Sequence, residues 1–367
     1  MKKMRFARDY GVSGLACICA FALALALAAP RTHAGSGNAP AFVEDMTGRR
    51  VALNGRPRRI LFSANVMPAF ATLAGGVGRV AAATWLGRSG MDGALLEQIF
   101  PASRDIAFAG AGTSLDPERA LLIAPDAIFG WAFQKSAIES AALPAFVAFA
   151  TDGTLDADAR LWDFMGQISG ASAAAEALRA RGDATLAAIA SRLASETVAR
   201  PRVLILVSNL QGMWIGPRIH SLTTRLALAG AENVATSARA SLFNIEQIAR
   251  IDPDVILIST NFANLVPADL YRQKQWRMLR ATRERRVYLQ PHFPAFAGPV
   301  FDPLLIQWLA ETLHPETAPG QLRNLVRASY LDVWGYRIGE AEIDRVLNVV
   351  ENSTSASHAP FLAQPAR

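Results

Sequence analysis

The chain has 367 residues, of which 51% are hydrophobic and 19% charged, and its formal net charge is +6. Residues 1–34 hold five basic side chains and one acidic, so they carry +4 of that charge and residues 35–367 carry only +2. Both cysteines, Cys17 and Cys19, also lie in residues 1–34. This excludes disulfides, zinc-thiolate sites, iron–sulfur clusters and cysteine nucleophiles from the remainder, and no basic stripe with interleaved aromatic residues suggests a nucleic-acid partner.

Residues 1–34 have the pattern of a secretory signal peptide. Four basic residues between Lys2 and Arg8 precede an apolar run from Gly14 to Ala29, and small residues come just before Gly35. An apolar run of this length is also long enough to serve as a membrane anchor, but the small residues favour cleavage. No second run of 18 apolar residues follows, so we expect an exported protein with a removed leader.

Residues 40–155 are predicted to form a first α/β lobe. Phe42 to Leu53 alternates as a pair of strands does, with a turn at Thr47 and Gly48. Strand-like segments, each containing a short apolar run such as Ile60 to Phe62, then recur at residues 58–63, 80–84, 127–130 and 146–150. Such runs are typical of parallel strands that are covered on both faces.

Residues 156–198 change to Ala, Leu, Arg and Glu at helical spacing, interrupted only by Gly166, Gly170 and Gly182. We predict a connecting helical region here. A helix of about 25 residues extends roughly 35–40 Å, which is enough to join two lobes as a stiff connector.

Residues 200–350 are predicted to form a second α/β lobe with terminal helices. Its strands are expected at residues 202–208, 255–259 and 286–289, and its closing helices at residues 303–313 and within 330–350. The last stretch, residues 351–367, is rich in Ser, Ala and Pro, and we expect it to be disordered.

A repeat relates the two predicted lobes. Residues 115–129 and 243–257, which lie 128 positions apart, both contain a capping residue (Asp116 or Asn244), a short apolar helix, a Pro-Asp pair and an apolar strand. A single repeat at domain-sized separation indicates two similar lobes rather than a solenoid.

These motifs resemble the periplasmic substrate-binding proteins of ABC importers that carry ferric siderophores, haem and cobalamin. The resemblance covers nearly all of the chain after the leader and rests on residues 45–53, 57–60, 216–234 and 283–288 together with the repeat. It implies an α/β fold of two Rossmann-like lobes joined by a long rigid α-helix, with a ligand cleft between the lobes. It also implies a periplasmic location, an inner-membrane permease dimer as partner, no resident cofactor and small lobe movements on binding.

Glu118 and Glu246 occupy equivalent places in the repeat. In the family that the chain resembles, an acidic residue on each lobe docks onto arginines of the two permease subunits, so the resemblance implies this role for the pair. Two like charges placed symmetrically would orient the protein on a two-fold partner. An alternative is that each glutamate only stabilises the first turn of its helix, where the helix dipole favours negative charge by about 0.3–1 kcal/mol.

Ligand contacts are expected in the loops that follow the strands, because open α/β sheets bind at the carboxyl ends of their strands. These loops are aromatic with sparse polar groups, the profile of a cleft for a large, partly apolar ligand, and Arg88 and Arg218 would meet an anionic chelate from opposite lobes. For Trp85, Trp131 and Trp214 the alternative is packing within a lobe. The predicted ligand-binding residues are Asn65, Met67, Trp85, Arg88, Trp131, Phe133, Trp214, Arg218, His220, Phe262, His292, Phe293 and Phe296.

The function that follows is a receptor that binds a ferric siderophore or a similar iron chelate and delivers it to an ABC importer. Haem, cobalamin, a nickel or cobalt chelate and molybdate are alternative ligands, and His220 and His292 are the candidates for direct metal ligation, although no metal site is predicted. A sensory or adhesive protein on the same fold is a further alternative. A secreted enzyme is a remote one, because the chain has no nucleophile elbow, phosphate-binding glycine loop or His-Glu-x-x-His motif.

Overall fold

The computed structural model describes residues 42–357 and 361, except 54, 89–90, 112–113, 142, 195–198, 210–211, 218–220, 236, 238–239, 243, 261–264, 294–297 and 317–319. The predicted signal peptide lies outside the described residues. Within them, no helix combines the length and the apolar character that crossing a membrane requires.

The first lobe contains a five-stranded parallel sheet in the order β5-β4-β3-β6-β7, preceded by the predicted antiparallel pair β1-β2. The predicted buried strands are confirmed, because β3, β6 and β7 have no exposed residue. Its elements are β1 (Phe42–Glu44), β2 (Arg50–Ala52), β3 (Ile60–Phe62), α1 (Met67–Ala74), β4 (Val80–Ala83), α2 (Trp85–Arg88), α3 (Gly93–Ile99), β5 (Ala107–Phe108), α4 (Pro117–Ile123), β6 (Ala127–Trp131), α5 (Lys135–Ser140) and β7 (Phe146–Phe149).

The second lobe is built on a mixed sheet in the order β11-β9-β8-β12-β13, with β10 also paired to β8. The strands β8, β10, β12 and β13 are parallel, whereas β9 and β11 are antiparallel to their neighbours. Its elements are β8 (Arg202–Asn209), β9 (Gly212–Ile215), α8 (Ser221–Leu228), β10 (Glu232–Asn233), β11 (Ser241–Leu242), α9 (Ile245–Ile251), β12 (Val255–Thr260), α10 (Pro267–Arg272), α11 (Arg280–Arg283) and β13 (Val287–Leu289).

The repeat has the local structure that its sequence predicts. Asp116 caps α4 by accepting a hydrogen bond from the Arg119 amide, and Asn244 caps α9 in the same way from two amides. Both helices end in a residue with left-handed backbone, Ala124 or Asp252, just before the proline. A strand of the lobe's own sheet follows each helix, β6 in the first lobe and β12 in the second. Each lobe therefore contains the same helix-to-strand unit.

Two helices form the connecting region, rather than one. The helix α6 (Leu155–Ser169) ends at Gly170, whose φ of 76° allows the left-handed turn, and α7 (Ser172–Ala194) follows. The 23 residues of α7 span about 34 Å at 1.5 Å per residue. The connector therefore contains one long helix, and α6 packs beside it and against α1.

The terminal helices are α12 (Asp302–Leu313), α13 (Leu322–Trp334) and α14 (Glu340–Val346). The expectation of a disordered tail is wrong for residues 351–357, which form turns on the second lobe. The Asn352 side chain accepts a hydrogen bond from the Leu289 amide at 2.7 Å and donates one to the Leu289 carbonyl at 2.9 Å. Because β13 is at the edge of its sheet, this side chain satisfies backbone groups that have no strand partner on that side.

A buried charged triad joins the second lobe to the connector. Arg225 in α8 donates to Asp158 in α6 at 2.6 Å and to Asp302 at the start of α12 at 2.8 and 2.9 Å. A further hydrogen bond runs from Arg225 to the Gly153 carbonyl at 3.1 Å. Burial raises the pKa of Asp302 to about 6, and Asp158 acts in the same direction while Arg225 opposes it.

This shift predicts a specific pH dependence of stability. Between the pKa of an ordinary aspartate, 3.8, and about 6, the folded protein holds a proton on Asp302 that the unfolded chain releases. The free energy of unfolding should therefore rise by about 1 kcal/mol, relative to Asp302→Asn, as the pH falls from about 7 to about 5. Urea unfolding of both proteins at the two pH values measures this difference, and identical pH dependence would contradict it.

Candidate functional site

The carboxyl ends of the first lobe's strands carry a buried polar network. Gln134 accepts hydrogen bonds from the Trp131 amide at 2.7 Å and from the Ser63 hydroxyl at 3.1 Å. The Trp131 indole N–H donates to Asn65 Oδ1 at 3.0 Å. All four residues are buried. The hydrogen bonds therefore hold Asn65 and Trp131 in place, and the two side chains expose little surface to a ligand.

Three aromatic side chains are exposed at the same edge of this sheet. Trp85 begins α2 directly after β4, Phe133 follows β6, and Phe108 ends β5; their exposed fractions are 39%, 72% and 44%. The sequence prediction included Trp85 and Phe133 but missed Phe108. A strand of two residues has no hydrophobic pattern that would place Phe108 at a sheet edge.

The position of Trp85 depends on a close contact between α2 and β3. A Cβ atom on Gly87 would lie 2.4 Å from the Phe62 carbonyl oxygen, so the helix can approach the strand end only at a glycine. Arg88 follows in the same helix, is half-buried, and donates to the Ile106 carbonyl at 3.3 Å. The structure thus places Trp85 and Arg88 side by side in one short helix.

Met67 lies in the hydrophobic core and not at the surface of the first lobe. It was predicted to bind ligand because it follows β3, but its side chain has 0% exposure and belongs to the hydrophobic core. The cause is that α1 begins at Met67 and buries most of its residues. The prediction for Met67 is wrong.

On the second lobe, the structure describes three of the predicted residues. Trp214 lies in β9 rather than in a loop, opposite Val207 of β8 and Leu242 of β11. Phe293 is half-buried and packs against the core. His292 is exposed and anchored by a hydrogen bond from its backbone amide to the Val346 carbonyl at 2.7 Å. Arg218, His220, Phe262 and Phe296 lie outside the described residues.

The electrostatics of His292 involve both lobes. Although His292 keeps part of its surface in solvent, the protein atoms that surround the imidazole lower its pKa by desolvation, whereas Asp92 of the first lobe and Glu351 of the second act to raise it. Asp92 also lies 4.0 Å from Arg345 of α14. The carboxyl end of β13 therefore faces the first lobe. In the part of the chain that the structure describes, no three His, Cys, Asp or Glu side chains are grouped to hold a metal ion.

Other contacts join the terminal helices to the first lobe. The Trp334 indole N–H at the end of α13 donates to the Thr72 hydroxyl in α1 at 2.9 Å. Tyr336 donates to Gln98 in α3. Trp334 is itself stacked on Phe301 with ring centroids 5.1 Å apart. The terminal helices therefore brace the first lobe as well as the second.

Glu118 and Glu246 are both exposed in the first turns of α4 and α9. The same two helices have exposed apolar neighbours nearby. Leu121 and Leu122 in α4 are 57% and 86% exposed, and Leu242, two residues before the cap of α9, is 68% exposed. Each lobe thus presents a glutamate beside uncovered leucine.

Comparison with known proteins agrees with this architecture. A family model described as periplasmic binding protein matches residues 73–292, which is more than half of the chain. Comparison with curated proteins finds no match.

Three solved structures have a similar fold. A periplasmic solute binding protein from Veillonella parvula is 22% identical, with 88% of this chain and 99% of that chain covered and a TM-score of 0.69. A molybdate periplasmic binding protein from Haemophilus influenzae, solved with molybdate, is 18% identical, with 81% and 99% covered and a TM-score of 0.69. A Helicobacter pylori protein with Ni(II) bound is 19% identical, with 88% and 99% covered and a TM-score of 0.66.

The family match and the two-lobed α/β architecture lead to one conclusion. The chain belongs to the periplasmic binding proteins.

Proposed function

We propose that this periplasmic binding protein receives a ferric siderophore or a similar iron chelate in the space between its lobes and delivers it to an inner-membrane ABC importer. The observation that carries the proposal is the group of exposed aromatic side chains, Trp85, Phe108 and Phe133, at the strand ends of the first lobe. Aromatic surface with few polar groups suits a large and partly apolar ligand. Arg88 beside Trp85 would supply a guanidinium for anionic chelate oxygens.

The similar solved structures indicate alternative ligands. Solved structures of the same fold hold molybdate and Ni(II), and haem, cobalamin and nickel or cobalt chelates are further alternatives. A small oxyanion or bare ion would gain little from exposed aromatic rings, because its binding requires hydrogen-bond donors or ligating side chains. The exposed side chains of Trp85, Phe108 and Phe133, which we name the aromatic rim, therefore favour a large chelate over molybdate or a bare ion.

We further propose that the protein performs no chemistry on its ligand and holds no resident cofactor, and that residues 1–34 are removed on export. Proteins of this family bind solutes. Binding and release through a rigid pair of lobes requires only noncovalent contacts.

The proposed partner is a permease dimer that meets Glu118 and Glu246. Their equivalence in the repeat supports this role, since a two-fold partner needs two equivalent contacts. The exposed leucines beside both glutamates support an interface there, because uncovered apolar surface next to polar residues is typical of a binding surface. Capping alone does not explain those leucines.

Charge reversal tests the docking surface. The double variant Glu118→Arg/Glu246→Arg should reduce cellular uptake of ⁵⁵Fe, supplied as ferric catecholate siderophore, by about tenfold or more, because each arginine would face the permease arginines. Affinity for the ligand should stay within a few-fold.

A matched control is Glu176→Arg/Asp183→Arg, which makes the same charge change at two exposed positions of α7. It should leave uptake unchanged. Unchanged uptake in the Glu118/Glu246 variant, or an equal loss in the control, would remove the docking role.

A further inference from the structure

The connection between β12 and β13 carries a concentration of positive charge. Residues 272–286, which we name the basic segment, contain seven basic side chains and one acidic, Glu284. Since residues 35–367 sum to +2, the residues of this range outside the basic segment have a net charge of −4. The equivalent connection of the first lobe, between β6 and β7, contains one lysine, Lys135, and one glutamate, Glu139. The fold therefore does not require this charge.

The basic segment is two-sided. Trp276 and Leu279 are fully buried in the core of the second lobe. Lys274, Arg277 and Met278 point to solvent, and Met278 is 58% exposed. The apolar side of the segment thus packs on the lobe, and its basic side, which includes exposed Met278, faces solvent.

Carboxylates neutralise only part of this face. Arg272 pairs with Asp269, and Arg280 pairs with Asp254. Among the described residues, Lys274, Arg277 and Arg283 have no carboxylate partner within ion-pair distance. Arg283 instead donates to the Met278 carbonyl at 2.5 Å, which holds its guanidinium in place and leaves the charge unneutralised.

Arg285 is a further exposed cation of the basic segment. Its guanidinium donates to the Thr354 carbonyl at 3.1 Å and lies 5.2 Å from the centre of the Tyr271 ring. Both contacts fix the group without cancelling its charge. Lys274, Arg277, Arg283 and Arg285 are therefore four exposed cations within one short segment.

We propose that the basic segment binds the surface of a lipid bilayer that carries anionic phospholipid headgroups. Clustered Lys and Arg side chains are attracted to such a surface within about a Debye length, roughly 8–10 Å, and exposed Met278 adds an apolar contact at the headgroup boundary. A single-stranded nucleic acid would instead require exposed aromatic rings, and Trp276 is fully buried.

The location agrees with this partner. The 3-10 helix Lys274–Met278 packs against α9, the helix that carries Glu246. A receptor seated on its importer through Glu246 would hold the basic segment beside the surrounding membrane. This placement rests on the proposed docking, whereas the charge argument does not.

Vesicle binding tests the inference without an importer. The exported protein, with its N-terminus identified by mass spectrometry, should cosediment with mixed phosphatidylcholine and phosphatidylglycerol vesicles at about 0.1 M salt and dissociate by about 0.5 M. It should not bind vesicles of phosphatidylcholine alone. The variant Lys274→Glu/Arg277→Glu should bind the mixed vesicles at least about 30-fold more weakly.

The matched control is Arg160→Glu/Arg337→Glu, two exposed arginines outside the basic segment, with the same change in net charge. It should bind the vesicles like the parent protein. No binding to the mixed vesicles, an equal loss in the control, or tighter binding to duplex DNA than to the vesicles would overturn the inference. Because no importer is present, these outcomes are independent of the uptake result for Glu118 and Glu246.

Discussion

Replacing Arg225 with methionine should lower the free energy of unfolding by about 3–5 kcal/mol, because the change leaves two buried carboxylates without their counter-ion. Asp158 and Asp302 are at least nine-tenths buried, and both receive their charged hydrogen bonds from this one guanidinium. Urea unfolding at pH 7 measures the loss.

A rescue experiment separates the charge effect from lost packing. In the triple variant Arg225→Met/Asp158→Asn/Asp302→Asn no buried charge remains, so most of the lost stability should return. If the triple variant is as unstable as Arg225→Met alone, the triad's electrostatics do not explain the effect.

Replacing Gly182 with alanine should destabilise the protein by about 3 kcal/mol, because the new Cβ atom has no room. That atom would lie 1.7 Å from the Pro299 carbonyl oxygen, where α7 packs against the turn before α12. The expected sign is opposite to the gain of about 1 kcal/mol that Gly→Ala gives at an exposed helix position.

Ala187→Gly provides the control on the same helix. Ala187 is exposed, so this change should cost only about 1 kcal/mol of helix propensity. Thermal unfolding of the three proteins ranks them as parent, Ala187→Gly and Gly182→Ala in falling stability. A more stable Gly182→Ala variant would show that α7 does not approach the Pro299 turn this closely.

Local signals account for the parts of the fold that the sequence predicts well. Asp116 and Asn244 cap their helices because the hydrogen bond they make is to an amide two or three residues away. Apolar runs such as Ile60–Phe62 are buried on both faces because parallel strands between helices have no solvent-exposed side.

Features that depend on residues far apart in the sequence cannot be predicted from local patterns. Arg225 meets carboxylates 67 and 77 residues away, and nothing in its own neighbourhood indicates this. Asn352 anchors residues 351–357, which were expected to be disordered, through the unpaired edge of β13.

The candidate site shows the same division. The sequence places Trp85 and Phe133 at strand ends correctly, since each directly follows a recognisable apolar run. It cannot tell which way a residue after a strand points, so Met67 was assigned to the cleft although it lies in the core. Phe108 was missed because its strand is two residues long.

The central claim is that the space between the lobes binds an iron chelate, and intrinsic tryptophan fluorescence tests it most directly. Trp85 is exposed at the rim, so the protein should show saturable submicromolar quenching with one ferric siderophore, and Trp85→Phe should lose most of that signal while retaining affinity. The same titration with haemin, cobalamin, Ni²⁺ and molybdate identifies the alternatives. No quenching by any iron chelate, together with saturable quenching by molybdate or Ni²⁺ alone, would contradict the claim that the protein binds an iron chelate.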